Sequence, residues 1–395
     1  MNYDVVIVGT GFTGSVIARQ LVDNLNASIL MIEKRKHVAG NMYDEKDENG
    51  IWVHRYGPHS FFTDDKEILE YVQRFSEWKP LNVTAKVCID DELYSLPFGF
   101  GFIREYYETN YAEKLINKLK AAFPNQERVA VYDLLNSADS AIKKLGEMLC
   151  EKDYYPYTSK QWGIPMDKMD PSVISRVKFA LSDDNRYLQQ KYQYTPIDGF
   201  TAFFERLLKS PNICINTNVD ALDYFVYKDD KVEFRYSKED EGFRGPIVFT
   251  GPIDELLNYK YGKLPYRSLN IRFDSFDIDS YQSTPFVSFP QAEGYTRIVE
   301  YKKLVGQTII GKTSISTEYP VEYQKGINMP QSPIINEDNL KLYGKYKEEI
   351  KTYKNLFVCG RLGDYKYYNM DAAIRRALEI EKEIEHYITE VDYGI

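Results

Sequence analysis

Cysteine and histidine are scarce in this chain of 395 residues, with four of each. Cys88, Cys150, Cys214 and Cys359 lie far apart and form no C-x-x-C pair, which argues against a disulfide-stapled secreted scaffold and a cysteine-rich zinc site. His37, His54, His59 and His386 show no H-E-x-x-H or other ligand spacing, so no metal site is expected. No apolar run approaches the ~18 residues that a membrane span needs. Basic blocks are missing too: 50 Lys and Arg against 59 Asp and Glu leave a formal net charge of −9, which excludes nucleic acid as the expected partner. Met1-Asn2-Tyr3-Asp4 runs straight into an apolar strand. With no cationic region or cleavage site there, the expectation is a cytoplasmic protein.

What is present is an ordinary globular balance, 43% hydrophobic and 28% charged, with length enough for two or three domains. Tyrosine (34) and phenylalanine (21) are abundant, and a tyrosine joins an apolar face to a polar tip suited to sugars and bases. The clearest passage is the first 41 residues. Val5-Val6-Ile7-Val8 reads as a parallel strand buried on both faces. Gly9-Thr10-Gly11-Phe12-Thr13-Gly14 follows, then helical spacing from Ser15 to Leu25, then the strand Ile29-Leu30-Met31-Ile32 ending on Glu33. This is a β-α-β dinucleotide fingerprint: Gly9 for the turn, Gly11 for close approach of a pyrophosphate, Gly14 for helix–strand packing and Glu33 for a ribose. The basic segment after Glu33, with Lys34, Gly40 and Asn41, and the distant Val358-Cys359-Gly360-Arg361 favour FAD over NAD.

Further along, helices are expected over Asp64–Phe75, through most of Tyr106–Tyr154, from Pro171-Ser172 onward and over Ala372–Ile388. Strands are expected over Val83–Leu96 around Asp90-Asp91, over Val219–Tyr236 around Asp229-Asp230, and over Ile247–Thr250, Leu269–Phe289, Tyr295–Ile315 and Leu356–Arg361. Ser182–Arg186 reads as a solvated loop able to close over a substrate. The fold class is α/β, a FAD-binding Rossmann-type lobe with a helical lobe and an antiparallel β-sheet lobe. The cofactor lobe is assigned to 1–80, 205–260 and 335–395, the helical lobe to 98–155, and the substrate-bearing sheet lobe to 81–97, 156–204 and 261–334.

Several strings carry a resemblance over nearly the whole chain. They include Arg55-Tyr56-Gly57-Pro58-His59, Tyr94-Ser95-Leu96-Pro97-Phe98, Tyr157-Thr158-Ser159-Lys160-Gln161-Trp162-Gly163, Thr250-Gly251-Pro252-Ile253-Asp254, Tyr266-Arg267-Ser268-Leu269, Tyr295-Thr296-Arg297-Ile298-Val299-Glu300 and Gly360-Arg361-Leu362-Gly363-Asp364-Tyr365-Lys366-Tyr367-Tyr368. With them the chain resembles the UDP-galactopyranose mutase family. The resemblance implies a FAD enzyme, active as FADH2, that interconverts pyranose and furanose forms of a nucleotide-diphospho sugar by attack of flavin N5 on the anomeric carbon. It further implies an external reductant and a homodimer. The same cofactor lobe could instead serve an oxidase or dehydrogenase using hydride transfer, or a silent nucleotide-sugar binder.

By the resemblance, Arg176 and Arg297 hold the diphosphate and His59 lies near the flavin, and these three are the expected catalytic residues. Tyr157, Thr158, Trp162, Tyr187 and Tyr367 fall at substrate positions. Contacts to the cofactor are expected from Gly9, Gly11, Phe12, Thr13, Gly14, Glu33, Lys34, Gly40, Asn41, His59, Val219, Arg361, Tyr368, Asn369 and Met370. Four substitutions depart from the pattern at the substrate end: Phe62 for a histidine, Ser288 for an asparagine, Ser332 for a tyrosine and Asn369 for an aspartate, while Ala39 replaces a glycine. The apolar Phe62 suggests a sugar with fewer hydroxyls, such as the 6-deoxyhexose of dTDP-fucopyranose.

Overall fold

The computed structural model describes residues 3–163, 165, 177–235 and 242–392. Val5–Val8 is apolar on both sides because it is sandwiched on both sides. It pairs in parallel with Ile29–Ile32 on one edge and Ile247–Phe249 on the other. Ile213–Asn216 and Leu356–Val358 complete a five-stranded parallel sheet, in the order 213–216, 29–32, 5–8, 247–249, 356–358. The helix Phe12–Leu25 covers one face together with the C-terminal helix Met370–Asp392. Val16, Ile17 and Leu21 meet Ile374, Ala377 and Ile380 there, all buried. On the opposite face lie the hairpin Phe225–Lys228/Lys231–Phe234 and Tyr346 and Ile350 of the helix Glu337–Ile350. The register Val8↔Ile32 and Val8↔Phe249 aligns the strand ends, so Gly9, Glu33 and Thr250 emerge along one edge.

A second, seven-stranded sheet runs in the order Ser332–Pro333, Tyr266–Phe276, Thr313–Glu322, Arg297–Glu300, Phe286–Ser288, Ala85–Ile89, Glu92–Leu96. All its pairings are antiparallel except Phe286–Ser288 with Ala85–Ile89. Tyr295–Ile315, expected as strand, is strand over Arg297–Glu300 and again from Thr313; between them a helical turn, Tyr301–Leu304, intervenes. Tyr301 is buried there and donates to His54 O at 3.0 Å, an anchor that a straight strand would not deliver. The helices Phe100–Tyr106, Thr109–Ala122, Val131–Leu135 and Ser140–Leu149 enclose a core of Ile116, Leu119, Leu145 and Leu149. That region is not wholly helical: Arg128–Ala130 forms a strand with Lys178–Ala180. Pro124 and Asn125, the latter at φ +62°, break the helix, and pairing Val129 with the buried Phe179 satisfies the backbone that follows. Similarly, Ala221–Tyr224 is a 3₁₀ turn, and the expected hairpin starts only at Phe225. The expected helix start at Pro171-Ser172 lies outside the described residues. Among the described residues no helix is long and apolar enough to cross a membrane.

Candidate functional site

A cleft of about 460 Å³ opens at the edge of the parallel sheet where Gly9, Glu33 and Thr250 emerge. Gly9 sits at φ +103°, a conformation that favours glycine, and a Cβ there would lie 2.1 Å from Thr250 Oγ1. At Gly14 a Cβ would lie 2.1 Å from Gly9 O, so the helix can press onto the turn only without one. Gly11 differs: the nearest atom to its would-be Cβ is Gly40 Cα at 4.0 Å. Its bare face therefore borders open cleft. Beside it, Thr10 N–H and Oγ1–H donate to Glu33 Oε2 at 3.0 and 2.6 Å, and Arg35 N–H donates to Oε1 at 2.9 Å. The Glu33 carboxylate is thereby immobilised at the cleft wall with lone pairs to spare.

The remaining expected cofactor residues, His59 excepted, are brought together here, with distinctions. Thr13, Gly40, Asn41, Val219, Tyr368, Asn369 and Met370 line the cleft. Phe12 lines it only at the start of its helix, since its ring packs into the core on Phe203 and Phe204. Lys34 is ion-paired with Asp220 at 2.8 Å. Arg361 donates to the carbonyls of Tyr368 (3.1 Å from Nε) and Gln331 (3.3 Å), and its guanidinium lies 4.8 Å over the Tyr367 ring. Burial lowers its pKa. Arg35, unassigned from sequence, stacks 4.1 Å over Tyr56, donates to Asn41 Oδ1 at 2.7 Å, and buries an Nη1 with no partner among the described residues. Gln331 lines this cleft, whereas Ser332 pairs with Arg267 at the sheet edge.

Of the second group of expected residues, Ser288 and Arg297 lie on one row of the seven-stranded sheet. Register aligns Ser288 with Arg297 and Arg297 with Glu318. Arg297 donates from Nε and Nη2 to Glu318 Oε2 at 2.9 and 2.7 Å, over the Phe286 ring at 5.5 Å. Glu318 and the nearby Tyr157 and Tyr187 raise the Arg297 pKa against the opposing effect of its burial. Tyr187 leans on Phe286, ring centroids 5.8 Å apart. Tyr157, Thr158 and Trp162 belong to the helix Tyr155–Trp162. Tyr367 is exposed under Arg361, and Phe62, in the strand Phe61–Thr63, pairs with Gln193. Arg176 lies outside the described residues. Glu318 was missed by sequence reading, because only strand pairing brings it to Arg297.

His59 is not among the residues that line the cleft, and its ring feels the charges of both Arg361 and Arg297. Its backbone N–H donates to His54 Nδ1 at 2.9 Å, and its own Nδ1 has no partner among the described residues. Burial, then His54 and the two arginines, hold the His59 pKa well below the usual value. The ring is neutral at pH 7. Unfolded, it takes up a proton near pH 6.5; folded, it does so only at lower pH. Its contribution to stability is therefore complete above that range and falls as pH drops toward the folded value, by up to ~1.4 kcal/mol per pH unit. Asp153, whose pKa burial raises to about 7, acts in the opposite sense. The His59→Asn variant isolates the histidine: urea unfolding between about pH 7 and pH 5 is expected to show a shallower acid loss than wild type. Parallel profiles would contradict the neutral ring.

Fold and cleft together define an α/β protein of the dinucleotide-binding class, with the Arg297–Glu318 pair set among aromatic side chains on a second sheet. Residues 7–75 match the NAD(P)-binding Rossmann-like domain, and residues 152–367 match the family model of UDP-galactopyranose mutase. The chain is 33% identical over 390 residues to UDP-galactopyranose mutase of Mycoplasma genitalium, covering 97% of this chain and 95% of that protein. It is 32% identical over 377 residues to dTDP-fucopyranose mutase of Escherichia coli, covering 95% and 96%. A crystal structure of reduced UDP-galactopyranose mutase superposes with a TM-score of 0.69 at 15% identity, over 98% of this chain and 94% of that one. The chain belongs to the UDP-galactopyranose mutase family.

Proposed function

We propose that this enzyme interconverts the pyranose and furanose forms of a nucleotide-diphospho sugar, with FAD bound in the cleft in its reduced state. The observation that carries the reading is the pairing of a dinucleotide cleft at the edge of the parallel sheet with a part-buried arginine near two tyrosines on the second sheet. The cleft fits FAD in its particulars. Gly11 offers a bare face, Glu33 is held ready for a ribose, and Arg35 keeps a buried donor unspent. Bound and reduced by an external reductant, the flavin would supply the electron pair that displaces the diphosphate from the anomeric carbon.

The chain's own task is then to hold and orient the substrate. Arg297 has N–H groups beyond the two given to Glu318, and the planar fork suits a diphosphate. Tyr157 and Trp162 offer aromatic faces to the base, and Tyr187 and Tyr367 offer hydroxyls toward the phosphates. Arg297 stays cationic while the diphosphate leaves and returns, so no separate acid is needed to stabilise it. Neutral His59 adds no charge beside the reacting carbon. Phe62 favours a deoxy sugar at that end, and dTDP-fucopyranose is the substrate this favours over UDP-galactopyranose.

Dithionite-reduced enzyme is offered UDP-galactopyranose, UDP-N-acetylgalactosamine or dTDP-fucopyranose separately, with product followed by HPLC. A furanose product is expected only under reduction, and fastest from dTDP-fucopyranose. Preference for UDP-galactopyranose would remove the deoxy-sugar refinement. Acceptor-dependent oxidation without any furanose would replace the mutase reading by hydride transfer.

A further inference from the structure

The helix Tyr155–Trp162 carries three of the proposed substrate residues, yet none of its residues is fully buried. Apolar packing, such as that of Tyr155 on the helical core, therefore holds it only in part, where it holds most helices. Two cations add to it. Arg267, from the adjacent long strand, donates to Gln161 O at 2.7 Å and Lys160 O at 3.0 Å, capping the helix's C-terminal carbonyls. Lys160 reaches the other way. Its Nζ donates to Phe289 O at 2.6 Å, Ala292 O at 2.8 Å and Tyr295 O at 2.6 Å, using all three protons of the ammonium.

Those acceptors are not arbitrary. They lie on the loop joining Phe286–Ser288 to Arg297–Glu300. Phe289 directly follows Ser288, and Tyr295 stands two residues before Arg297. Phe289 N–H also donates to Thr296 O at 2.8 Å, closing the loop's mouth. One ammonium thus gathers both ends and the middle of the loop that spaces Ser288 from Arg297. Charge-assisted bonds of this kind are short and strong.

We propose that Lys160 is a positioning residue: it ties the helix bearing Tyr157, Thr158 and Trp162 to the two strand ends bearing Ser288 and Arg297, and so sets the spacing between the base-binding and diphosphate-binding residues. The inference rests on the reading of the substrate site given above. Lys160 touches neither substrate nor cofactor; it acts through Arg297 and Tyr157. None of its three acceptors lines the dinucleotide cleft.

The test uses FAD-loaded full-length enzyme. Lys160→Met keeps an unbranched side chain, one heavy atom shorter, and removes its donors. It is expected to retain the wild-type flavin spectrum while Kd for UDP and for dTDP, and KM for the sugar nucleotide, rise by about tenfold to a hundredfold, the scale on which a ~1 Å misplacement acts; kcat is expected to fall less. Arg297→Lys is measured alone and in the Lys160→Met background, where it should cost much less than in wild type, because the two share one interaction. Should Lys160→Met not fold, Lys160→Arg is read by the same assays: it keeps the charge but places a flat fork among carbonyls arranged for an ammonium, and weaker UDP binding is again expected. A folded, flavin-loaded Lys160 variant with wild-type Kd beside a crippled Arg297→Lys overturns the proposal. An inert Arg297→Lys would overturn the site reading itself, and this proposal with it.

Discussion

Arg297→Lys is expected to lower kcat/KM by roughly 10²–10³-fold, as loss of a preorganised charge-stabilising donor does elsewhere, while leaving the fold and the flavin in place. Two guanidinium N–H groups, Nε and Nη2, already serve Glu318 Oε2 at 2.9 and 2.7 Å. The remaining donors are those available to a diphosphate. An ammonium at the same position can neutralise the buried Glu318 or meet a phosphate oxygen, but it lacks the rigid fork that does both at once. Alanine would be the wrong probe. It would strand a buried carboxylate, at a cost of about 3–5 kcal/mol, and a lost fold would be mistaken for lost chemistry. Steady-state kinetics on dithionite-reduced enzyme, with a melting curve and a flavin spectrum for each preparation, separate the two. Turnover within about threefold of wild type, under half a decade in rate, would show that Arg297 does not hold the departing diphosphate.

Gly11→Val is expected to abolish cofactor retention in a protein that still folds, whereas Gly14→Val is expected to lose both. The two glycines are three residues apart but meet different neighbours. At Gly14 the added Cβ faces Gly9 O at 2.1 Å and Ile7 Cγ2 at 3.2 Å, so the helix must move off the central strand, disturbing the core around Val16 and Ile17. At Gly11 the protein has room, with Gly40 Cα at 4.0 Å the nearest atom. A valine there adopts the extended backbone already present, φ −75° and ψ −174°, and its branches enter the cleft where a pyrophosphate would approach. Measuring flavin absorbance per chain alongside far-UV circular dichroism distinguishes the outcomes. Full flavin occupancy in Gly11→Val would show that the bare face at Gly11 is not where the cofactor passes.

The structure also separates what local patterning can show from what it cannot. Asp90-Asp91 between apolar runs reads as a tight turn, and both residues do take positive φ, +50° and +66°. The short strand Arg128–Ala130 was not legible, because its partner Lys178–Ala180 lies some fifty residues on and its pairing depends on the buried Phe179. Likewise Phe12 stands in the middle of a glycine-rich fingerprint, yet its ring serves the core beside Phe203 and Phe204. Backbone and side chain of one residue can face different duties, and spacing along the chain reports only one of them.

From sequence alone came the first β-α-β unit, its glycines and acid, and the family resemblance. All of these rest on contacts between near neighbours, or on long strings that keep their order. Tertiary structure alone decided that Glu318 accepts from Arg297, that Lys160 gathers the loop beyond Ser288, and that Gln331 rather than Ser332 borders the cleft. Each of those depends on the register between strands distant in sequence, or on a side chain reaching across elements. Moving a strand by one residue exchanges its two faces. Composition and periodicity constrain which elements form, but the partner of a charged group is set by how those elements are aligned when packed.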